Sequence, residues 1–386
     1  MALHPARLDE LVSISEIRSM SIECSNQGGI NLAQGICDLE VPSGIIKGAK
    51  QAMDQGFNIY TPYSGLPELK EAIARKHEMF SGIRANPAAE IVVSCGATGA
   101  MYCTCLALLD PGDEVIVFEP YYGYHINTLL SINVRPTYVR LEAPSWRFSR
   151  QDIEKRITEK TRAIIVNTPS NPSGKVFTGE ELEIIADLAI KHDLFVFTDE
   201  IYEHFVYNNA RHIPPSTLPG MKERTITISG LSKTFSITGW RIGYCICDEK
   251  WAKTIGYIND LIYVCAPAPL QIGVARGLME LDEGYYRKLA LDHAKKRDMI
   301  LNALEDAHMH PCMPQGAYYV LADISRIPGK DSIERTRFFL DQTGIACIPG
   351  KAFYHDDAGD TLARFCFAKQ DDVLEEACRR IKGFTL

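Results

Sequence analysis

Apolar residues follow two periods along this chain. Short runs of β-branched and other apolar residues predict buried strands, and stretches in which apolar residues recur every three or four positions predict amphipathic helices. The runs predict strands at residues 30–35, 91–95, 115–118, 163–166, 195–198, 225–228, 241–247 and 363–367. The helical spacing predicts helices over Asp9–Glu23, from residue 96 through Leu109, over Glu180–His192 and from Leu270 onward. The part from Leu278 to Arg297 is charged and is a candidate connection to a second domain.

The composition limits the kind of protein. With 46% hydrophobic and 23% charged residues, the 386-residue chain has the content of an ordinary globular protein, and its length allows two or three domains. No apolar run is long enough to predict a transmembrane helix, and Met1–Glu23 lacks the apolar core of a signal peptide. The net charge of −8, without a clustered basic face, disfavours a nucleic-acid partner.

The twelve cysteines raise the question of disulfides or metal binding. No two of them form a Cys-x-x-Cys pair, and most stand in apolar runs such as 245–247, where cysteine behaves as a small hydrophobic residue. We therefore expect reduced, buried thiols, no metal site and a cytoplasmic protein.

Lys233 is the centre of the functional interpretation. The run Thr225–Ile228 predicts a strand that delivers Lys233 to a loop at its carboxyl end, where α/β proteins place their chemistry. A primary amine condenses reversibly with an aldehyde, and a fixed guanidinium such as that of Arg241 suits a phosphate dianion. Taken alone, Ser232 and Lys233 also fit an ordinary surface loop.

The whole segment Gly230–Tyr244 resembles the cofactor-lysine segment of the class I and II pyridoxal-phosphate aminotransferases of fold type I. The resemblance implies that Lys233 holds pyridoxal 5′-phosphate as an internal aldimine and that Ser232 and Arg241 bind its phosphate. Eight residues separate Lys233 from Arg241, as in that family.

Two further strand ends carry the resemblance. Asn171, Asp199 and Lys233 follow one another at intervals of 28 and 34 residues. By resemblance, Asn171 and Tyr202 would bond the cofactor phenolic oxygen, and Asp199 would keep the pyridine nitrogen protonated so that the ring accepts electrons. Taken alone, Asp199 also fits a helix cap.

The remaining cofactor contacts come from three other segments. Gly96, Ala97 and Thr98 match the family's phosphate cup at the start of a predicted helix, whose amide groups suit an anion. Tyr122 would stack on the pyridine ring, and Tyr60 would reach the cofactor phosphate of a neighbouring subunit. A core position for Tyr122 and a packed turn for Tyr60 stay open.

Arg364, Gly35 and Asn171 are the candidate substrate contacts. An arginine in an apolar strand is costly unless it is paired, and family members use the matching arginine to grip the substrate α-carboxylate. Gly35 would let the backbone approach the substrate closely. A structural ion pair for Arg364 and a plain turn at Gly35 are the alternatives.

The resemblance covers nearly the whole chain. It implies an α/β fold with a mostly parallel seven-stranded sheet in a large domain and a smaller α+β domain made from both termini. We expect residues 1–44 and 282–386 in the small domain, with strands near 315–320 and 347–353, and residues 45–281 in the cofactor-binding domain. A homodimer with shared active sites is expected as well.

The expected activity is that of a transferase of nitrogenous groups, which moves an amino group between an L-amino acid and a 2-oxo acid. The motifs look most like aspartate aminotransferase subgroup Ib and kynurenine–glutamine aminotransferase-like members, which favours aromatic, methionine, glutamine or kynurenine substrates. Thr98 and Glu16 stand near positions where those members carry aromatic residues, and Glu16 would favour a polar or amine-bearing substrate. An aspartate aminotransferase, a lyase, decarboxylase or synthase on the same scaffold, and a non-catalytic regulatory domain are the alternatives.

Overall fold

The computed structural model describes residues 16–385. The helices in this range are α1 (Glu16–Asn26), α2 (Ser43–Asp54), α3 (Pro67–Ser81), α4 (Gly96–Leu108), α5 (Gly123–Ser131), α6 (Arg150–Glu154), α7 (Gly179–Lys191), α8 (Glu249–Tyr263), α9 (Ala268–Glu280), α10 (Glu283–Asp306), α11 (Ser332–Thr343) and α12 (Asp371–Lys382). Short 3-10 helices cover Pro215–Thr217, Thr238–Trp240, Gly350–Phe353 and Asp357–Gly359.

The strands of the same range are β1 (Ile30–Asn31), β2 (Ile91–Cys95), β3 (Glu114–Glu119), β4 (Arg135–Arg140), β5 (Thr161–Asn167), β6 (Phe195–Asp199), β7 (Thr225–Gly230), β8 (Ile242–Ile246), β9 (Tyr319–Asp323), β10 (Ile345–Ala346), β11 (Ile348–Pro349) and β12 (Leu362–Cys366). Seven of them form one large sheet in the order β2–β8–β7–β6–β5–β3–β4.

This sheet is mostly parallel, as the resemblance implied. Only β8 runs antiparallel to its neighbours, and the remaining pairs are parallel. The register places Asn167 of β5 opposite Asp199 of β6, and Asp199 opposite Ile228 of β7. The carboxyl ends of three consecutive strands therefore meet at one edge of the sheet, where open α/β sheets bind ligands.

Apolar side chains cover both faces of the large sheet. In β5, Ile164 and Val166 pack into one buried cluster, while Ala163 and Ile165 pack into another. Because side chains alternate between faces along a strand, these neighbouring residues bury opposite sides of the sheet. The continuous apolar run of β5 is thus explained by helices on both faces.

A second unit is built from both ends of the described chain. Strands β11, β12 and β9 form an antiparallel sheet, and β1 pairs in parallel with β10, joining Ile30 to Ile345. The expected smaller α+β part is therefore present, and the α/β fold class is confirmed. The boundaries 1–44, 45–281 and 282–386 stay predictions.

The structure differs from the sequence pattern in two predicted elements, and part of a third is not described. The first part of the predicted N-terminal helix, residues 9–15, lies outside the described residues. The long helical stretch divides into α9 and α10, because the side chain of Asp282 accepts the amide of Tyr285 and starts a new helix. Residues 350–353 form a 3-10 helix after Pro349, which lacks the N–H that would extend strand pairing.

Candidate active site

A cavity of about 490 Å³ opens where these strand ends meet. It is lined by eleven of the residues singled out from sequence: Gly35, Ala97, Thr98, Tyr122, Asn171, Asp199, Tyr202, Ser232, Lys233, Arg241 and Arg364. Gly96 lies against Arg241 at the same site. Tyr60 does not line the cavity of its own chain, and its side chain is 80% exposed.

Lys233 is half-buried in the wall of the cavity. Its Nζ donates a hydrogen bond to the carbonyl oxygen of Gly35 at 2.8 Å. Burial disfavours the ammonium form and lowers the pKa of Lys233 to about 8. Within residues 16–385 no carboxylate pairs with this amine. A larger fraction of Lys233 is therefore neutral and nucleophilic near neutral pH than of an ordinary lysine.

Asp199 is fixed at the end of β6 by two contacts. One carboxylate oxygen lies 3.0 Å from Nε2 of His125, and the other accepts the amide of Ile201 at 3.3 Å. The contact with Ile201 is of the kind that a helix cap makes, which was the alternative for Asp199. The carboxylate also lines the cavity. His125, in the first turn of α5, was missed by the sequence analysis, because its partner lies 74 residues away.

The start of α4 forms a cradle for an anion. The helix begins directly after β2, and no side chain caps its first amides. Gly96 has φ +79°, and a Cβ atom there would lie 2.5 Å from Nη2 of Arg241, so only glycine leaves room for the guanidinium. The exposed guanidinium of Arg241 donates to the carbonyl of Thr238 at 3.0 Å. Unpaired amides and a neighbouring guanidinium suit a phosphate.

The aromatic residues supply hydroxyl groups and ring faces. The hydroxyl oxygens of Tyr202 and Tyr319 are 2.9 Å apart, and burial raises the pKa of Tyr202 well above its usual value. Tyr202 therefore keeps its proton and can donate a hydrogen bond. The ring of Tyr122 stacks on Tyr124 at a centroid distance of 5.2 Å, at the cavity wall and not in a closed core.

Arg364 is fully buried, and no acidic side chain among residues 16–385 pairs with it. Its guanidinium donates to Oδ1 of Asn171 at 2.7 Å and to the carbonyl of Ala33, and it lies 4.3 Å from the ring centroid of Tyr319. Its Nε has no hydrogen-bond partner in the described part of the chain. The structural ion pair considered from sequence is absent there. A buried guanidinium with an open donor requires an anion, and a ligand carboxylate would provide one.

Close packing requires a glycine at residue 35, whether or not the chain also turns there. A Cβ atom at this residue would lie 1.8 Å from the hydroxyl oxygen of Tyr319. The carbonyl of Gly35 accepts hydrogen bonds from Lys233 at 2.8 Å and from Tyr318 at 3.1 Å. The backbone at Gly35 thus holds the amine of Lys233 beside the two tyrosines.

These residues fit pyridoxal 5′-phosphate on three structural observations. The uncapped start of α4, together with Arg241, suits the phosphate. The amine of Lys233, with its lowered pKa, suits the aldehyde. The fixed carboxylate of Asp199 suits a protonated ring nitrogen. All three lie in one cavity. Among residues 16–385, no group of three or more His, Cys, Asp or Glu side chains could hold a metal ion.

The sequence analysis missed several residues of the cavity. Beside His125, these are Arg18, Gln34, Ile36, Met101, Tyr124, Thr128, Ile201, Thr238, Gly239 and Tyr319. Arg18 lies on α1, two residues after Glu16, which was expected near the substrate and does not line the cavity. The helical spacing of α1 was visible in the sequence, but the face that meets the cavity was not.

The chain resembles known proteins over almost its full length. Residues 27–381 match the family described as Aminotransferase class I and II. An aspartate aminotransferase of Pyrococcus abyssi is 35% identical over 97% of this chain and 96% of its own. Human kynurenine–oxoglutarate transaminase 3 is 33% identical over 92% of this chain and 85% of its own. The structure of N-succinyldiaminopimelate aminotransferase from Mycobacterium tuberculosis superposes with a TM-score of 0.95 at 31% identity, covering 98% of this chain and all of that chain.

Proposed function

This chain belongs to the class I and II aminotransferases, and we propose that Lys233 is the residue on which its chemistry depends. Its cofactor is pyridoxal 5′-phosphate, and it transfers an amino group between an amino acid and a 2-oxo acid. The observation that supports the role of Lys233 is its place beside Asp199, Arg241 and Arg364 in one cavity, with a lowered pKa and no acidic partner among the described residues.

The contacts within the cavity support the following roles for the residues around the ring. The bound cofactor supplies an aldehyde that condenses with amines and a ring that accepts the electron pair left on the substrate α-carbon. Asp199 would keep a proton on the ring nitrogen, and His125 fixes the orientation of its carboxylate. Tyr202 would donate a hydrogen bond to the phenolic oxygen. The Nζ of Lys233 would take the proton from the substrate α-carbon and deliver it to the former aldehyde carbon of the cofactor.

Phosphate and carboxylate groups bind at separate places. The amides of Gly96, Ala97 and Thr98, with Ser232 and Arg241, hold the phosphate. Arg364 holds the substrate α-carboxylate, and its bond to Asn171 fixes the plane of the guanidinium. Asn171 would also donate a hydrogen bond to the phenolic oxygen, and Tyr122 would cover one face of the ring. Glycine at residue 35 makes room for the hydroxyl of Tyr319, and its backbone would lie close to the substrate.

The protein acts as a homodimer in this proposal. Ile59 and Tyr60 are each 80% exposed and Leu261 is 82% exposed, while the rings of Tyr63 and Tyr257 lie 6.0 Å apart and join the two segments. An exposed apolar surface of this kind is typical of an interface. In a dimer, Tyr60 would donate to the phosphate held by the neighbouring subunit.

A charged substitution on this exposed apolar surface tests the proposed dimer interface. Leu261→Glu should shift the protein from dimer to monomer in sedimentation equilibrium, because a carboxylate cannot be buried unpaired. Leu291→Glu, at a residue of α10 that is 58% exposed, is the matched control and should stay dimeric. A monomeric wild type at micromolar concentration would contradict the dimer.

The substrates are an L-amino acid of the aromatic, methionine, glutamine or kynurenine type and a 2-oxo acid. Relatives named for kynurenine, aromatic amino acids and methionine support this set, and the aspartate aminotransferase of Pyrococcus abyssi supports aspartate as the alternative. We also propose a cytoplasmic location, since all twelve cysteines are free thiols, the state that a reducing compartment maintains. In residues 16–385, no helix is both long and apolar enough for a membrane span.

A paired product assay tests the transfer itself. The wild-type holoprotein should form one 2-oxo acid for each acceptor that becomes an amino acid, across a panel of single donors. A lyase or decarboxylase on this scaffold would consume the donor without converting an acceptor. Equal donor loss with and without acceptor would therefore contradict transamination.

A further inference from the structure

Tyr319 joins the two sheets of the protein at the cavity. It is the first residue of β9, in the three-stranded sheet, and its backbone is paired with Cys366 of β12. Its hydroxyl oxygen lies 2.9 Å from that of Tyr202, which follows β6 of the large sheet. Both side chains are buried, and both line the cavity. A residue of the smaller sheet therefore contacts a residue that we propose for binding the cofactor.

The surroundings of Tyr319 fix the place of its hydroxyl group. The guanidinium of Arg364 lies over its ring at 4.3 Å from the centroid. The ring of Tyr202 packs against it edge-on, with the two centroids 5.7 Å apart. A side chain at Gly35 would collide with the hydroxyl, because a Cβ atom there would lie 1.8 Å from its oxygen. The fold thus leaves a space that this hydroxyl fills.

The hydrogen bond between the two tyrosines has a direction. Burial raises the pKa of Tyr319 to about 12 and that of Tyr202 well above its usual value, so both hydroxyls keep their protons at neutral pH. The geometry allows either hydroxyl to donate to the other. Each has one proton to donate. When Tyr202 gives its proton to the cofactor, the bond between the tyrosines uses the proton of Tyr319.

We propose that Tyr319 is a positioning residue that donates to Tyr202 and so directs the Tyr202 proton onto the phenolic oxygen of the cofactor. This inference rests on the proposed functions of Tyr202 and Lys233. A hydroxyl that accepts a hydrogen bond becomes a stronger donor, because hydrogen bonds in a chain polarise one another. The smaller sheet, which also carries Arg364, thereby adjusts the cofactor held by the large sheet.

The proposal has a consequence for the proton on the nitrogen of Lys233. In pyridoxal 5′-phosphate the phenolic oxygen stands next to the aldehyde carbon that Lys233 would hold. A hydrogen bond donated to that oxygen withdraws negative charge from it, and the oxygen then stabilises the nearby proton less. Donation from Tyr319 through Tyr202 therefore lowers the pH at which the nitrogen loses its proton.

A pH titration of the holoprotein measures this effect. The absorbance of the bound cofactor changes when the nitrogen of Lys233 loses its proton, and the titration gives a midpoint. Tyr202→Phe should raise the midpoint by about 1–2 pH units, because it removes a hydrogen bond to a charged oxygen. Tyr319→Phe keeps the ring beside Arg364 and should raise the midpoint by about 0.3 unit, the share of a supporting hydrogen bond.

A double variant and a control show whether the effect passes through Tyr202. Tyr202→Phe/Tyr319→Phe should have the midpoint of Tyr202→Phe to within about 0.1 unit, because the second hydroxyl then has no proton to direct. Tyr207→Phe removes another buried hydroxyl, which donates to the carbonyl of Ala317 and does not line the cavity. This control should keep the wild-type midpoint.

Three results would overturn the role of Tyr319. The first is a midpoint that falls, or that rises by less than about 0.1 unit, in Tyr319→Phe. The second is a rise of equal size in the wild-type and Tyr202→Phe backgrounds, which would mean that the effect bypasses Tyr202. The third is a Tyr319→Phe variant that no longer binds the cofactor, since that loss would indicate a structural role.

Failure of this inference is distinct from failure of the proposed function. If Tyr202→Phe has the wild-type midpoint, or if the absorbance of the wild-type holoprotein does not depend on pH, the proposed roles of Tyr202 and Lys233 are wrong. If Tyr202→Phe raises the midpoint and Tyr319→Phe does not, only the positioning role of Tyr319 is wrong.

Discussion

Lys76 and Lys233 are both largely withdrawn from solvent, and their surroundings give them opposite properties. Lys76 on α3 is buried, and its Nζ contacts the carboxylate of Glu203 and the hydroxyl of Tyr244, the latter at 3.0 Å. Burial alone would lower the pKa of Lys76, but the Glu203 carboxylate outweighs it and raises that pKa above its usual value. In the part of the chain that the structure describes, no carboxylate contacts Lys233, and burial lowers its pKa to about 8.

The difference separates a structural amine from a reactive one. An ammonium held by a carboxylate is neither nucleophilic nor basic. A half-buried amine that no carboxylate contacts is both. The two sites are also connected, because Ser229 of β7 donates to the same carboxylate oxygen of Glu203 at 2.8 Å. β7 is the strand that leads to Lys233, so the Lys76–Glu203 pair is linked through Ser229 to the strand that positions the reactive amine.

The largest expected effect is the loss of the reactive amine. Lys233→Ala should lower amino-group transfer by at least about 10⁴-fold, because the residue both holds the cofactor and moves the proton. With the cofactor removed from both proteins, its thermal unfolding midpoint should stay within a few degrees of wild type, since the substitution breaks no ion pair among the described residues. Lys253→Ala, at an exposed lysine of α8, is the control and should keep wild-type rates. Transfer within tenfold of wild type in Lys233→Ala would remove the distinction between the two lysines.

Removing the structural amine, that of Lys76, should instead lower the free energy of unfolding. Lys76→Met leaves the carboxylate of Glu203 buried and unpaired, which costs about 3–5 kcal/mol. Urea unfolding of the holoprotein should show this loss, and the double variant Lys76→Met/Glu203→Leu should recover more than half of it. A loss below 1 kcal/mol in the single variant would mean that the pair contributes little.

The pH dependence of cofactor binding should reveal the lowered pKa. The neutral amine is the form that attacks an aldehyde, and it increases as the pH rises toward the pKa of Lys233 near 8. The association rate of the cofactor-free protein with pyridoxal 5′-phosphate should therefore rise about tenfold per pH unit below 8 and level off above it. A rate that continues to rise beyond pH 10 would indicate an ordinary lysine.

The smallest expected effect concerns the connection between the two sites. Ser229→Ala removes one hydrogen bond to Glu203 and should cost about 1 kcal/mol of stability. Because Lys76 still pairs with Glu203, the midpoint of the pH profile above should not move. A shift of a full pH unit would show that the hydrogen bond between Ser229 and Glu203 also affects the pKa of Lys233.

The sequence predicted what depends on local pattern, and it missed what depends on distant pairing. The strand ends at Asn171, Asp199 and Lys233 were visible because apolar runs and turn residues lie next to each other in the chain. The Lys76–Glu203 pair joins residues 127 positions apart. No local signal connects such positions, because both residues stand among other charged residues in the sequence, Lys76 after Arg75 and Glu203 after Glu200.

The N-terminal helix shows a second limit of the sequence. Its periodicity predicted a helix, and α1 is one, but Glu16 was expected near the substrate and the residue of α1 that lines the cavity is Arg18. Two residues along a helix correspond to a rotation of about 200°. Which charged side chain of α1 lines the cavity therefore depends on packing between α1 and the rest of the fold, which a single sequence does not contain.

Chemical reduction of the holoprotein tests the central claim most directly. Sodium borohydride fixes the cofactor to the lysine that carries it, and peptide mass spectrometry then locates the pyridoxyl group. We predict one label per chain, on the peptide that contains Lys233, with none on Lys76. A label on any other lysine, or full labelling of Lys233→Ala, would contradict the assignment of the reactive amine.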